Sequence, residues 1–180
     1  MKSIELTQSQ ITAKQNGSTM FIFPIKDIHK DYEFQGYSSS EDGIWNATFW
    51  NEKTENLIIK TLPIQIGDKD IFIKESFHCD KNGIVYYKDD FEFNQYLTND
   101  PSRMLKEQSR YSFVECINVR VLRVQEIFGN DKANIIGKTE KLGYILDDFR
   151  EWYYNYMKEL KIKRTYNHND YVFLVEFKGI

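Results

Sequence analysis

Gly67-Asp68-Lys69-Asp70-Ile71-Phe72-Ile73-Lys74-Glu75 is the stretch on which the fold turns. The Gly-Asp pair reads as a turn and the residues after it as a short strand. Successive strand side chains alternate faces, so Ile71 and Ile73 point one way and Asp70, Phe72 and Lys74 the other. Downstream, Asp80-Lys81-Asn82-Gly83 is a strong turn signal, because Asn-Gly tolerates positive φ; it predicts a hairpin joining 71–77 to 84–88.

The neighbouring segments read in the same way. Ile4-Glu5-Leu6 predicts a first strand, and Thr7-Gln8-Ser9-Gln10 has the form of a capping box, opening a helix that Gly17 closes. Residues 20–25 read as a strand in which Pro24 belongs at an edge or an end. Residues 26–43 read as a polar loop, followed by a hairpin of 44–50 with 56–61. Residues 89–101 read as a surface loop, with Ser102 capping a helical turn over 104–109. The longest strand signal covers 111–124, with Tyr111, Phe113, Ile117, Val119 and Val121 on one face and a bulge expected near Val121. Ile145, Phe149, Trp152, Tyr153, Tyr156 and Leu160 recur at helical spacing, which predicts an amphipathic helix over 144–160. A closing strand is expected at 171–177. Strands with one early and one late helix make an α+β chain with an antiparallel, barrel-like sheet.

The 180 residues suit one domain, and 41% hydrophobic with 28% charged residues is ordinary for a globular protein. No apolar run approaches the length of a membrane span, and the first 15 residues lack the apolar core of a signal peptide. The expectation is a cytoplasmic protein with no membrane partner and with Cys79 and Cys116 reduced. Net charge is −3 but uneven: residues 1–100 sum to −6 and residues 101–180 to +3, and all six arginines lie in the second part. An acidic total argues against indiscriminate nucleic-acid binding while leaving room for one basic face.

Four segments together resemble the ASCH domain, a branch of the PUA-like superfamily. They are the early helix ending at Asn16-Gly17, Ile66-Gly67-Asp68 with Ile71-Phe72-Ile73-Lys74-Glu75, the run from Glu115 to Val124 continuing into Gln125-Glu126-Ile127, and Tyr171-Val172-Phe173-Leu174-Val175-Glu176-Phe177-Lys178. The likeness is to ASCH-like proteins of bacteriophages, where elements like Tyr87-Lys88-Asp89-Asp90 and the Met-x-x-Glu-x-x-Arg run Met104 to Arg110 flank the long strand. The resemblance implies a PUA-like antiparallel β-barrel with a short N-terminal helix and one long C-terminal helix. It implies a single domain over 1–180, with an insertion at about 26–60. It also implies a cleft used for RNA or a modified nucleoside. Some small members resemble amidohydrolases acting on 4-acetylcytidine, with a Lys and a Thr after the helix-ending glycine and a Glu further on. Here Gly17 is followed by Ser18, Thr19, Met20, Phe21 and Ile22, with no basic residue until Lys26, so the expected base is absent. The resemblance therefore favours binding over catalysis.

The candidate catalytic residues are Glu75, at the strand end, and Thr19. The candidate nucleic-acid-binding residues are Arg103, Lys106 and Arg110, on one face if 103–110 is helical, with Arg120 and Arg123 on the long strand. Tyr86 and Tyr87 are candidate stacking platforms. No cofactor motif is present, and no second Cys or His spacing turns His78-Cys79-Asp80 into a metal site. Asp89 and Asp90 are a carboxylate pair at a loop start. The basic run Lys158 to Arg164 complements a helix C-terminus, with phosphate contact as a secondary role. The leading expectation is a nucleic-acid-binding module of phage or prophage type. The alternatives are a diverged nucleoside or nucleic-acid hydrolase, and a phage factor that binds a host protein through Trp45, Phe49 and Trp50.

Overall fold

The structure is a computed structural model that describes residues 2–88, 101–138 and 145–178. The expected loop over 89–101, with Asp89 and Asp90, falls outside the described residues except for Pro101. Ten strands and three α-helices are described: β1 (Ser3–Glu5), α1 (Gln8–Gln15), β2 (Met20–Pro24), β3 (Glu33–Ser39), β4 (Trp45–Asn51), β5 (Asn56–Thr61), β6 (Lys69–Lys74), β7 (Phe77–Cys79), β8 (Val85–Tyr87), β9 (Ser112–Arg123), α2 (Gly129–Ile135), α3 (Ile145–Glu159) and β10 (Tyr171–Lys178).

A five-stranded sheet in the order β1-β6-β9-β10-β2 forms the middle layer; β1 runs parallel to β6 and the other neighbours are antiparallel. The central strands bury both faces. Phe173 and Val175 of β10 join Phe21, Ile71, Ile73, Phe113 and Val119 on one side, under Ala47 and Phe49 of a three-stranded sheet β3-β4-β5. Val172 and Leu174 point the other way, with Ile22, onto Ile135 of α2 and Phe149, Tyr153, Tyr156 and Met157 of α3. The result is an α+β arrangement of meander, sheet and helices. Among the described residues the five-stranded sheet is open, with β1 and β2 at its edges. β7 and β8 form a separate ribbon.

Several elements form for the reasons the sequence gives. Gln10 Oε1 accepts from Thr7 N–H at 3.1 Å while Thr7 Oγ1 accepts from Gln10 N–H at 3.4 Å, the reciprocal bonds of a capping box. At the other end of α1, Ser18 N–H reaches the Ala13 carbonyl and Gly17 N–H that of Lys14, and Gly17 takes φ 94°, which its missing Cβ permits. The α3 stripe buries Phe149, Tyr153, Tyr156 and Met157.

Four expectations are corrected. The polar segment 26–43 contains β3, which pairs with β4 from Glu33–Trp50 to Ser39–Trp45, so the 26–60 excursion is a complete sheet. The segment 103–110 is not one helix: two short 3-10 turns, Pro101–Arg103 and Lys106–Gln108, are separated by extended Leu105 and followed by extended Ser109. The irregularity in β9 lies at Ile117 and not Val121, because Glu176 faces Asn118 but Phe177 faces Cys116. Cys116 thereby takes the buried place expected of Ile117, which is 45% exposed. Phe72 is buried although it alternates with Ile71 and Ile73.

Candidate nucleic-acid interface

The structure brings Glu75, Arg110 and Tyr87 into one cluster. Glu75 follows β6 and is 1% exposed. The Arg110 guanidinium grips it as a fork, Nε to Oε1 at 3.0 Å and Nη2 to Oε2 at 2.8 Å. The same guanidinium lies 4.2 Å from the centre of the Tyr87 ring and 5.0 Å from that of Tyr111. Ser109 Oγ sits between the Ile73 and Tyr111 carbonyls, and the Tyr87 hydroxyl donates to the Gln108 carbonyl, so backbone on both sides fixes the turn. A bidentate carboxylate partner and two aromatic rings occupy the Arg110 fork. The arrangement locks β6, β8 and the 106–110 segment together; it does not present an open fork to a phosphate. Tyr86 lies beside His78, with ring centres 6.2 Å apart.

Thr19 is held in a different place. Asn134 of α2 accepts from the N–H of Thr19 at 2.9 Å and of Met20 at 3.3 Å, and its amide donates to Thr19 Oγ1 at 3.2 Å. One side chain thus fastens the start of β2 to α2. Beside it lies a polar hollow of about 400 Å³ lined by Asn16, Gly17, Ser18, Asn130, Asn134 and Lys138. The Lys138 ammonium is paired with Asp148 at 2.7 Å. Gly137, at φ 68°, packs so closely on α1 that a Cβ would stand 2.7 Å from the Ala13 carbonyl oxygen. The Thr19 hydroxyl accepts a hydrogen bond from an amide, and no base bonds to it among the described residues.

The remaining arginines are dispersed. Arg120 faces α2 and pairs with Asp131 at 2.8 Å. Arg123 stacks on Tyr171 at 4.2 Å and donates to the backbone carbonyls of Asn169, Lys30 and Tyr32, tying β9 to the strand entry at 30–32. Arg103 and Lys106 are exposed on their separate 3-10 turns. The expected single cleft of Arg103, Lys106, Arg110, Arg120, Arg123 and the two tyrosines is thus not assembled. Only Arg103 and Lys106 of that set stand free at the surface.

A second basic group is assembled at the end of α3. Leu160 and Ile162 N–H bond back to the Tyr156 and Met157 carbonyls, and Lys161 takes φ 58°, so the chain folds over the helix end. Tyr154, Lys158, Lys161, Lys163 and Arg164 then line a hollow of about 450 Å³. Tyr154 is 55% exposed. Arg164 is neutralised by a forked pair with Asp170, whereas Lys158, Lys161 and Lys163 have no carboxylate partner among the described residues. The sequence shows this basic run, but its dipole role masks it; Tyr154, one turn before Lys158, is the residue that sets an exposed ring beside the lysines. A smaller hollow, of about 250 Å³, is lined by Glu159 and Leu160 at this end of α3 together with Glu5, Lys88 and Pro101, so two carboxylates share it with one cation.

No helix among the described residues is long and apolar enough to cross a membrane. No protein-family model, no curated protein and no solved structure matches the chain.

Proposed function

We propose that this chain is a nucleic-acid-binding module of the ASCH, PUA-like kind, of phage or prophage type, and that it takes single-stranded RNA across the end of α3. The observation that carries this reading is the hollow in which exposed Tyr154 stands beside three lysines without carboxylate partners. A single strand needs those two things: cations spaced along the backbone and a ring on which an unpaired base stacks. The chain's overall negative charge confines attraction to a basic face such as this one. The open sheet is compatible with a PUA-like layout in which the 26–60 meander supplies the opposing wall.

The test is fluorescence anisotropy with a labelled single-stranded RNA. Three phosphate contacts give a slope of log K against log salt of about −2, so affinity falls roughly fifteenfold between 50 and 200 mM salt. Tyr154→Ala removes one stacked base, about 1–3 kcal/mol, and Lys158→Glu with Lys163→Glu flattens the salt slope. Absence of salt-sensitive binding to RNA, or binding untouched by these three substitutions, refutes the proposal.

A further inference from the structure

Two hollows meet at the end of α3, and their chemistry differs. The one described above is cationic: Lys158, Lys161 and Lys163 line it without carboxylate partners among the described residues. Ile162 and Arg164, which belong to its lining, also line a second hollow of about 500 Å³ at the end of β2. That volume falls in the range of small-molecule sites. Ile25, Ile28, Met157 and Ile162 make much of the second hollow apolar, and Ile25 and Met157 are buried. Among the described residues its formal charges cancel, Lys26 and Arg164 standing against Asp27 and Asp170. Arg164 is forked onto Asp170, Asp27 pairs with Lys60 at 3.6 Å, and His29 is engaged by Asp31 at 3.2 Å. This hollow holds no net charge for a phosphate.

It does hold hydrogen-bonding groups. After Pro24 the chain leaves β2 and turns through Asp27, at φ 62°. The main-chain N–H groups of 26–29, along the wall of the hollow, have no protein partner among the described residues. The Arg164 fork uses Nε and Nη2, which leaves Nη1 as a donor, and the Asp170 oxygens keep further lone pairs. An uncharged planar ring with a polar edge suits both parts: its faces meet isoleucine and methionine, and its edge meets the main chain or the guanidinium–carboxylate pair.

We propose that the second hollow is a base pocket, which takes one unstacked nucleobase of a strand whose phosphates lie on Lys158, Lys161 and Lys163. The inference rests on the RNA path proposed above. A nucleotide joins an anionic phosphate to a neutral heteroaromatic base, and the two hollows supply those two environments on either side of Ile162 and Arg164. Tyr154 lines only the cationic hollow of the two, so the base it stacks is not the base that enters the pocket.

The pocket is tested apart from the phosphates with adenosine, which carries no charge, and with inorganic phosphate as the control. In a spectrum of the chain with 13C-labelled methionine methyl groups, millimolar adenosine is expected to shift the Met157 signal, assigned through Met157→Leu, and phosphate to leave it in place. Ile28→Trp fills the hollow at a half-buried position outside the lysine surface. It is expected to abolish the response to adenosine and to weaken RNA binding by about tenfold in anisotropy, with the slope against salt unchanged. A Met157 signal in the native chain that ignores adenosine overturns the pocket. So does an RNA affinity that Ile28→Trp leaves unaltered while salt-sensitive binding persists; the lysine surface then still stands. Absence of any salt-sensitive binding to RNA overturns both.

Discussion

Replacing Arg110 with Met tests whether the Glu75–Arg110 fork is a structural lock. The guanidinium makes two charge-assisted bonds to a carboxylate whose side chain is 2% exposed, and it stacks on Tyr87. Removing one partner of a buried pair costs about 3–5 kcal/mol, because the surviving charge stays out of water. The Arg110 side chain is 22% exposed, so some water reaches the pair and the lower half of that range applies, about 3–4 kcal/mol. At about 2–4 °C per kcal/mol for a chain of this size, the midpoint of thermal unfolding falls by roughly 7–14 °C. Urea denaturation followed by circular dichroism measures the loss. The double variant Glu75→Leu with Arg110→Met removes both charges and is expected to recover to within about 1 kcal/mol of the native chain. If Arg110→Met costs under about 1 kcal/mol, or if the two substitutions add without coupling, Arg110 is free for an external anion and the lock is refuted.

Three further outcomes follow from the packing. Gly137→Ala forces a Cβ against the Ala13 carbonyl at positive φ and is expected to cost about 2 kcal/mol or more in urea, with α1 and α2 pushed apart. Burial pushes the Cys116 thiol up to about 12, so a thiol reagent at pH 8 should titrate Cys79 alone in the native chain and both cysteines in urea; prompt labelling of Cys116 would contradict its burial. Lys132 is buried over the Phe149 and Tyr166 rings, and burial, helped by Arg150, pulls its ammonium below the usual lysine range. Between the folded value and the ordinary 10.5 the unfolded chain binds more protons, so stability relative to Lys132→Met rises with pH across that window; a flat difference would show that burial exerts no such pull.

The elements that were legible are those whose signal is local. The capping box at Thr7 and Gln10 and the α3 stripe from Phe149 to Met157 depend on residues a few positions apart, and both form. The turn after β4 forms because Asn51 Oδ1 accepts from the N–H of Lys53 and Thr54. β3 was illegible because its own residues, with Gly36 and two serines, bury little; β4 makes it a strand. α2 is short and opens on Gly129-Asn130-Asp131-Lys132, with an apolar signal that begins only at Ala133 and Ile135. The candidate site was misjudged for a related reason. Sequence shows where cations are, but not that Glu75, Asp131 and the carbonyls of Lys30 and Tyr32 have already claimed Arg110, Arg120 and Arg123. Arg103, Lys106 and the three lysines at the end of α3 are among the cations left without such partners among the described residues.

The central place of β10 has a consequence for synthesis. Residues 171–178 lie between β9 and β2, and both neighbours bond to them along nearly their whole length. On the ribosome, β2 emerges early and must wait for some 150 more residues before β10, its sheet partner among the described residues, exists. Until then the apolar faces of β2, β6 and β9 have no closed core to enter, and the nascent chain exposes them. The β3-β4-β5 meander and the β7-β8 ribbon, whose strands are consecutive, are able to pair as they emerge. Closure of the five-stranded sheet therefore waits for the synthesis of β10.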